Sequence, residues 1–495
     1  MTSLWLADRA PIETDPLPLG SHVDTVVVGA GVTGIATAAR LVEAGQRVVL
    51  IDAGRPGGLT TGLSTAKVTV LQQTAVSRIE GSCSAEVADA YLAANVAGMT
   101  WLLDRCRRLG VPFDERPACT YATTSAGAER LGAELAALRR SGLTVVDGES
   151  TDLPFPTSRV IRLDRQAQLD PTAFCDAAVA ALRRDGATVV ADCRVRDVRN
   201  AAGDDPLEVV TDAGSVWAGH VVLATGAPIL DRGLHFSRIE PSRSHAAAYA
   251  MRTPPQTLSI SVEHPVRSSR AARVGDEELL VVSGFGHVTG RGRPPHEYAD
   301  RLDAWVRRTF DVTRRVHRWA AQDYRSTDGA PIVGPIRPDL PRLLVATGFN
   351  KWGLTNGPAA AMALSAAVLG SEPPSWAPPL YDRRTTTSAV AGLTRLAAST
   401  GGHTIGGYSR ALSRPAPEPR DEGAGDVGRR GGAIVGVCRV DGELHRVSAV
   451  CPHLGGALAW NDAERSWDCP LHGSRFRFDG RRIEGPAVND LRSQE

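Results

Sequence analysis

The sequence predicts an α/β fold followed by an all-β domain: a Rossmann-like nucleotide-binding fold with an inserted mixed-sheet domain, and then a small antiparallel domain. Three patterns predict this. A strand, a glycine-rich turn and a helix follow one another from Asp24, the middle of the chain is rich in strand patterns, and two C-terminal loops carry paired cysteine and histidine residues. At 495 residues the chain also exceeds what one hydrophobic core usually supports, so we expect more than one domain.

The first strand, turn and helix have the pattern of a dinucleotide-binding site. Gly29-x-Gly31-x-x-Gly34 forms the turn, and the second strand ends in Asp52, 18 residues after the last of these glycines. Glycines permit the tight turn and let the helix N-terminus approach a pyrophosphate, while the acid accepts hydrogen bonds from a ribose. This motif alone does not distinguish FAD from NAD.

Three later segments favour a flavin nucleotide. The loop at residues 57–67 consists mostly of small residues, as needed where a backbone passes closely against a flat ligand. A strand at 218–223 ends in an Ala-Thr-Gly turn, and residues 343–369 form a strand, a glycine-rich turn and a helix from about Pro358 to Leu369. The N–H groups at the start of that helix suit the electron-rich edge of a reduced flavin.

In this order, the segments resemble the glycine oxidase and D-amino acid oxidase-like superfamily of FAD-dependent oxidoreductases, from about residue 22 to 372. The resemblance implies an FAD cofactor and a small-molecule substrate. It also implies which residues contact the cofactor: Gly29, Gly31, Gly34 and Asp52 at the ADP half, the backbone of Val195 at the adenine, Thr65 and Lys67 at the pyrophosphate or flavin, Thr225 and Gly226 in the turn after the strand, and Gly353, Leu354 and Thr355 at the isoalloxazine.

Two short loops near the C-terminus supply two thiolates and two imidazoles. The first reads Cys451-x-His453, and the second, Cys469-x-x-His472, begins after fifteen intervening residues. A Rieske [2Fe–2S] cluster needs this set, because two histidines replace two cysteines on one of its irons. The alternative is a tetrahedral zinc site. Zinc fingers usually pair cysteine with cysteine and histidine with histidine, so the mixed order favours the cluster.

Residues from about Gly431 to Ala487 resemble the Rieske domain family. Respiratory members carry one further cysteine in each cluster loop, which form a disulfide, and Gly456 and Leu471 stand at those positions here. Those members also place a serine and a tyrosine hydroxyl near the cluster. Ser474 is retained, whereas Phe476 replaces the tyrosine. Because fewer hydrogen bonds to sulfur lower the reduction potential of a cluster, we expect a potential below the respiratory type.

Charge and composition argue against several classes of protein. The 56 basic and 55 acidic residues give a net charge of +1, which offers no electrostatic case for binding nucleic acid or an anionic membrane. The eight cysteines show no pairing pattern outside the cluster loops, and the first twenty residues contain acids and prolines where a signal peptide needs an apolar core. There is no apolar run of about 18 residues, so we expect no membrane segment and a cytoplasmic location.

The middle of the chain is expected to form a substrate domain from insertions at about 81–150 and 236–321, as the family resemblance implies. Helical patterns cover Ala85–Leu109, Ala126–Ser141 and Pro171–Arg184. A second glycine pattern, Gly284-x-Gly286-x-x-x-Gly290, suggests another nucleotide site. We reject this interpretation because Pro294-Pro295 is expected to stop any following helix and no second strand ends in an acid.

The substrate-binding residues depart from the family pattern. Glycine oxidase-like members usually place an arginine just before a Thr-x-Asp segment to bind the substrate carboxylate, and Asp323 stands at that position here. Arg325, two residues on, faces the same side of a strand, and Arg243 and Arg252 are further candidates. Amino acids, amines and other reduced substrates therefore stay open.

Four residues are candidates for catalysis. They are Lys67 as a cation beside the flavin, His287 as a proton acceptor, and Asp323 with Arg325 at the substrate. A lone histidine or arginine is more often structural or solvated, and hydride transfer to a flavin needs no protein nucleophile.

The domain boundaries follow from composition. Residues 1–21 are expected to form an N-terminal tail, residues 22–372 the oxidoreductase domain, residues 373–430 a linker rich in proline and glycine, and residues 431–495 the Rieske domain. The linker is weakly helical from Arg383 to Ala398. Strands at Ala433–Val440 and Leu444–Ala449 are joined by Asp441-Gly442, which predicts a hairpin.

The two halves together predict an FAD-dependent oxidoreductase that oxidises a small substrate at C–N or C–O. Electrons would then pass one at a time through the cluster to an unidentified electron-transfer partner. Because the linker joins the two domains covalently, it raises the local concentration of the cluster at the flavin to about millimolar. The alternative is an electron-transfer or redox-sensing protein without small-molecule turnover, and the sequence leaves the direction of electron flow open.

Overall fold

A computed structural model describes residues 2–200, 205–383 and 387–494. The strands are β1 (His22–Val28), β2 (Val48–Ile51), β3 (Lys67–Val68), β4 (Phe113–Ala122), β5 (Val146–Gly148), β6 (Arg159–Leu169), β7 (Thr188–Val190), β8 (Val195–Arg199), β9 (Leu207–Thr211), β10 (Gly214–Leu223), β11 (Ile239–Ala250), β12 (Leu258–Ser261), β13 (Arg267–Val274), β14 (Glu277–Val288), β15 (Arg315–Ser326), β16 (Ile332–Pro335), β17 (Leu343–Thr347), β18 (Gly425–Arg430), β19 (Ala433–Val440), β20 (Glu443–Ser448), β21 (Ala459–Asn461), β22 (Ser466–Asp468), β23 (Arg475–Arg477) and β24 (Arg482–Glu484).

The helices are α1 (Val32–Glu43), α2 (Ala75–Ser82), α3 (Ala85–Leu109), α4 (Ser125–Arg140), α5 (Pro171–Arg184), α6 (Pro295–Thr309), α7 (Gly353–Leu369), α8 (Ala377–Tyr381) and α9 (Thr387–Leu412), with single 3-10 turns at Asp231–Gly233 and His235–Ser237. Within the described ranges, none of the helices has the length and apolar character that crossing a bilayer requires.

The first sheet is the predicted Rossmann-like sheet. Its strands run in the order β16-β17-β10-β1-β2-β7, with β9 on β10 and β8 on β9. β17, β10, β1, β2 and β7 are parallel, and α1 connects β1 to β2. Parallel strands end at one edge, so the glycine turn after β1 and the acid after β2 lie side by side there.

The second sheet is a mixed sheet in the order β15-β11-β14-β13-β12-β4-β6-β3, with β5 on β6. It is larger than the two predicted insertions, 81–150 and 236–321, because β3 and β6 lie outside them and β15 extends to Ser326. On β11, the side chains of Ser242, Ser244 and Ala246 face the first sheet across a cavity, whereas Arg243 faces away, as strand alternation requires.

Several helix boundaries were predictable from their caps. α3 begins after Ser84, whose side chain accepts a hydrogen bond from Val87 N, and ends at Gly110 with φ 69°. α5 begins after Asp170, which accepts from Thr172 N and Ala173 N. Both helices therefore match the predicted spans, because the signals that set their ends lie in the local sequence.

Two predictions about prolines were wrong. Pro294-Pro295 does not stop a helix, because Pro295 is the first residue of α6, where a missing N–H costs nothing. α7 begins at Gly353 rather than at Pro358, which lies inside the helix. The second glycine pattern still forms no nucleotide turn, since Gly284 and Gly286 belong to β14 in an antiparallel ladder.

The predicted N-terminal tail is part of the core. Trp5 is buried, and its indole Nε1 donates to Ser64 O at 2.9 Å. The hydroxyl of Ser3 donates to Gly62 O at 2.7 Å. Local composition does not reveal these contacts, because they join segments about sixty residues apart. They support the loop at residues 57–67 from outside the cavity.

The linker contains more helix than its glycine content suggested. Residues 384–386 lie outside the described ranges, and from Thr387 the helix α9 continues to Leu412, beyond the weakly helical span that was predicted to end at Ala398. The Tyr408 hydroxyl of α9 donates to Gly455 O in the first cluster loop at 2.5 Å. α9 therefore lies against the C-terminal domain.

The C-terminal domain is antiparallel, as predicted. One sheet has the order β18-β19-β20 and the other β21-β22-β23-β24. β18 precedes the predicted boundary at residue 431 and pairs with β19, so the sheet includes residues that composition assigned to the linker. The predicted hairpin is present, with Asp441 at φ 55° and Gly442 at φ 81° between β19 and β20.

A buried ion network joins the C-terminal domain to the second sheet. Arg243 is 0% exposed and contacts Glu464 at 2.5 Å and Glu484 at 3.4 Å. Arg475 contacts Glu484 and Asp468 at 3.0 Å each, and Glu464 at 3.2 Å. Arg243 is thus not a substrate-binding residue, because its position on β11 directs it into the domain interface.

We expect Arg243→Ala to lower the free energy of unfolding by about 3–5 kcal/mol, because Glu464 and Glu484 lose a partner while they stay buried. Urea unfolding monitored by tryptophan fluorescence measures this change. Arg314→Ala is the control: Arg314 pairs with Glu277 at the surface, at 2.6 Å, and its removal is expected to cost less than about 1 kcal/mol. Equal losses in the two variants would contradict the assignment of the network.

Candidate functional site: a dinucleotide cavity beside two cysteine and histidine loops

A cavity of about 1080 Å³ lies where the carboxyl edge of the first sheet faces the second sheet. That volume is at the upper end of ligand cavities, which suits a dinucleotide together with a small substrate. Most of the predicted site residues are in its wall: Gly29, Gly31, Asp52, Thr65, Lys67, Val195, Thr225, Gly226, Asp323, Arg325, Gly353 and Leu354.

The glycine turn forms one end of the cavity. Gly29 has φ 101°, and a Cβ there would lie 2.5 Å from Ala224 O. A Cβ at Gly34 would lie 1.8 Å from Gly29 O, so Gly34 allows the turn to pack on α1 and is not itself in the wall. No side chain caps α1 at Gly31, and Val32 N donates to Thr61 Oγ1 at 3.2 Å. Gly31, Val32 and Thr33 line the cavity, so the N-terminus of α1 faces it and fits the diphosphate of FAD.

Asp52 lies beside this turn. Its carboxylate accepts hydrogen bonds from Ala30 N at 2.6 Å and Gly54 N at 2.9 Å. Burial nevertheless raises the pKa of Asp52 to about 6. The two backbone donors orient the carboxylate in the cavity wall, where it is available to the hydroxyl groups of a ribose.

Two lysines face the other end of the cavity. The Lys67 ammonium donates to Ser259 O at 2.9 Å and to Ser268 Oγ, and burial lowers the pKa of Lys67 to about 7. The Lys351 ammonium donates to Ser244 Oγ at 2.6 Å. Its side chain is exposed to the cavity but enclosed by protein, and this burial lowers the pKa of Lys351 to about 7. Both amines therefore exchange protons near neutral pH.

Lys351 was not among the predicted site residues. It lies in a turn of unusual backbone geometry, with φ 51° at Asn350 and 75° at Lys351. The Asn350 side-chain amide holds the turn by donating to Gly329 O at 2.9 Å and Gly348 O at 3.0 Å. Such conformations cost about 1–3 kcal/mol each and cluster at functional sites. The signal in the sequence was a lysine within a glycine-rich turn.

Asp323 and Arg325 are both in the wall, on β15. The Asp323 carboxylate accepts a hydrogen bond from Lys351 N, and burial raises its pKa. Burial lowers the pKa of Arg325. Asp323 thus fixes the turn that carries Lys351, which gives a structural reason for an acid at this position.

Besides Gly34 and Arg243, three further predicted residues lie outside the cavity wall. Thr355 points towards α3, where its hydroxyl donates to Asn95 Oδ1 at 2.6 Å. His287 stacks on Tyr298 with ring centroids 4.3 Å apart, and burial lowers its pKa to about 4, so it is not placed as a proton acceptor at the flavin. Arg252 is exposed and is not part of the wall.

The two cysteine and histidine loops converge as predicted. The thiols of Cys451 and Cys469 contact each other, and this contact lowers the pKa of Cys451. The rings of His453 and His472 are 5.1 Å apart at 88°. In the described part of the chain, no three His, Cys, Asp or Glu side chains are grouped around a single metal ion. Two thiols and two imidazoles in separate pairs fit a [2Fe–2S] cluster, which takes two protein ligands on each iron, rather than one zinc ion.

The surroundings of the loops follow the predicted departures. The Ser474 hydroxyl hydrogen-bonds to Cys451, whereas Phe476 is buried without a hydroxyl. A Cβ at Gly456 would lie 2.7 Å from Leu471 Cδ1, so these two positions face each other without a disulfide.

Phe236, from the oxidoreductase part of the chain, covers the histidines. Its ring centroid lies 4.9 Å from that of His472 and 5.8 Å from that of His453. No sequence signal marks this contact, since it joins segments more than two hundred residues apart.

One side chain connects the cavity to the second cluster loop. Gln322, in the cavity wall on β15, donates from Nε2 to Gly473 O at 2.8 Å, and Gly473 directly follows His472. The same Nε2 donates to Tyr324 Oη at 2.9 Å, and the Gln322 Oε1 accepts from the Thr289 hydroxyl at 2.7 Å. Every polar atom of the Gln322 amide is used, which fixes its orientation.

Comparison with known proteins supports both parts of the site. Residues 24–367 match the model of the FAD dependent oxidoreductase family, and residues 418–495 match the Rieske [2Fe-2S] domain. A Bacillus subtilis (strain 168) relative named as a Rieske 2Fe-2S iron-sulfur protein, YhfW, is 28% identical over 489 residues, covering 95% of this chain and 93% of the relative. The chloroplastic cytochrome b6-f iron-sulfur subunit of Arabidopsis thaliana is 49% identical over 45 residues, 9% of this chain and 20% of that protein.

Solved structures share the fold of the first part. Glycine oxidase from Geobacillus kaustophilus superimposes with a TM-score of 0.62 at 19% identity, covering 74% of this chain and 99% of that one. L-amino acid deaminase from Proteus vulgaris gives a TM-score of 0.60 at 14% identity, covering 75% and 99%. These matches confirm the predicted fold class and family resemblance, and they imply FAD and a [2Fe–2S] cluster as cofactors.

The hydroxyl groups near the cluster are expected to set its reduction potential. Phe476→Tyr should raise the potential, and Ser474→Ala should lower it, because hydrogen bonds to sulfur stabilise the more negative reduced state. A net hydrogen bond of about 0.5–1.5 kcal/mol corresponds to roughly 20–65 mV for a one-electron couple. Redox titration followed by EPR measures both shifts. Shifts in the same direction would contradict the explanation.

Proposed function

Because the chain belongs to the family of FAD-dependent oxidoreductases and carries a Rieske [2Fe–2S] domain, we propose that it oxidises a small substrate at a C–N or C–O bond and passes the electrons singly through the cluster to a partner. The substrate is an amine, an amino acid or a similar molecule. FAD supplies a two-electron acceptor for a hydride, and the cluster supplies a one-electron carrier. Each substrate oxidised therefore delivers two single electrons to the partner.

The floor of the cavity supports a small-molecule substrate. Small residues of the second sheet line it, and their size leaves room in the cavity for a substrate. They are Ser242, Ser244, Ala246, Ser268, Ser283, Gly284 and Gly286. A substrate ammonium or hydroxyl group gives up a proton when hydride leaves the adjacent carbon. Lys67 and Lys351 accept it, because their pKa values of about 7 keep an appreciable neutral fraction at physiological pH.

The contact between Gln322 and Gly473 is the single observation that carries the electron-transfer part of the proposal. It joins a residue of the cavity wall to the backbone beside His472 through one hydrogen bond. Electrons released in the cavity therefore have a short, bonded connection to the cluster loop. The partner that removes them is an electron-transfer protein.

A cytoplasmic location is part of the proposal. The six cysteines outside the cluster loops are free thiols, in keeping with a reducing compartment.

The function is tested by mixing the oxidised protein anaerobically with a panel of amines, amino acids and hydroxy acids. We expect at least one compound to bleach the visible flavin absorbance and to produce the EPR signal of a reduced Rieske cluster. Photoreduction with a sacrificial donor is the control that the flavin can be reduced. If the flavin passes this control but no compound bleaches it, the result favours the alternative of an electron-transfer protein without substrate turnover.

The rate of flavin reduction by the best substrate is expected to rise between pH 6 and pH 8. A lysine with a pKa of about 7 is neutral in about a tenth of molecules at pH 6 and in about nine-tenths at pH 8, and only the neutral form accepts a proton. Stopped-flow measurements on Lys67→Met and Lys351→Met identify the proton acceptor. The variant that lacks the acceptor is expected to show no rise of the flavin reduction rate with pH. A rate that falls with pH would contradict proton acceptance by either lysine.

A further inference from the structure

The C-terminal domain supplies part of the wall of the dinucleotide cavity. Five of its residues line the cavity together with the glycine turn and the second sheet: Arg477, Arg482, Ile483, Glu484 and Gly485. The oxidoreductase fold alone therefore leaves this side of the cavity open.

Contacts from three strands hold this segment in place. The Tyr324 hydroxyl, on β15, donates to Gly485 O at 3.1 Å. Arg196 lies on β8, directly after Val195 of the cavity wall, and its guanidinium donates to Val488 O. Arg243, on β11, forms the buried ion pair with Glu484 at 3.4 Å. These three contacts fix the position of the C-terminal segment in the cavity wall.

Arg482 brings an uncompensated positive charge to this wall. Its side chain is half-buried and its Nη1 donates to Ala487 O, while Asp490 accepts only its backbone N–H, at 2.8 Å. Across the described ranges, no carboxylate forms a salt bridge with it. The neighbouring acid Glu484 is instead neutralised by Arg475 at 3.0 Å and by Arg243.

The charge of Arg482 suits an anionic ligand. A guanidinium binds phosphate oxygens through directed hydrogen bonds, and these are stronger in a partly buried site than in water. The N-terminus of α1 faces the same cavity, and the positive end of its helix dipole also favours negative charge. The diphosphate of FAD carries that charge.

We propose that the FAD site is shared between the two domains, with Arg482 of the C-terminal domain binding the anionic diphosphate part of the cofactor. The proposal requires no substrate turnover and no electron transfer. It also implies reciprocity: if docking of the C-terminal domain strengthens FAD binding, then FAD strengthens docking by the same factor.

The test compares full-length Arg482→Gln with the wild type after removal of FAD. Titration with FAD, followed by quenching of flavin fluorescence, is expected to give a Kd at least about tenfold higher for the variant, because a charge-assisted hydrogen bond is lost. Arg481→Gln is the matched control. Arg481 is 76% exposed and outside the cavity wall, so this variant should bind FAD as the wild type does.

Two further measurements keep the result interpretable. The EPR signal of the Rieske cluster should be unchanged in Arg482→Gln and Arg481→Gln, which shows that the C-terminal domain is folded in both. Arg482→Lys keeps the charge and is expected to bind FAD more tightly than Arg482→Gln. Wild-type FAD affinity in Arg482→Gln, or equal affinities for the lysine and glutamine variants, would overturn the proposal. Because FAD binding is measured without substrate, this outcome is independent of the test for turnover.

Discussion

Arg243 and Arg475 hold the C-terminal domain against the second sheet, in a buried network with Glu464, Glu484 and Asp468. Two guanidinium groups meet three carboxylates away from water, and each of the three carboxylates has at least one arginine partner. The rest of the site depends on this docking, because the same surface brings Gly485 to the cavity and Gly473 to Gln322. A buried ion pair is a weak source of net stability but is specific in geometry. Here that geometry sets the position of one cofactor site relative to the other.

The docked arrangement changes what each part of the chain does. The cavity has a floor of small residues from the second sheet, a glycine turn from the first sheet and a side wall from the C-terminal domain. In the other direction, Phe236 of the oxidoreductase part covers His453 and His472. The cavity and the pair of cluster loops are therefore each in contact with residues of the other domain. α9 and β18 occupy much of the segment that composition assigned to the linker, and both pack within the docked arrangement.

Features governed by neighbouring residues were predictable from the sequence. The glycine turn, the caps of α3 and α5, the Asp441-Gly442 hairpin and the spacing of the cluster loops all depend on a few consecutive residues. Features that depend on distant pairing were not. Trp5 is in the core, Arg243 faces the interface and Thr355 faces α3 because of contacts across the fold. Lys351 was missed because its pKa and its place in the cavity arise from enclosure by other segments, not from a motif.

The proposed function requires that the two cofactor sites exchange electrons within one chain. The most direct measurement is flash photoreduction of the flavin with a sacrificial donor, followed by time-resolved absorbance of the cluster at several protein concentrations. We expect cluster reduction with a rate constant that does not depend on protein concentration and that is smaller in Gln322→Leu, where the hydrogen bond to Gly473 is lost. A rate proportional to protein concentration, or a cluster that stays oxidised beside a reduced flavin, would contradict this expectation.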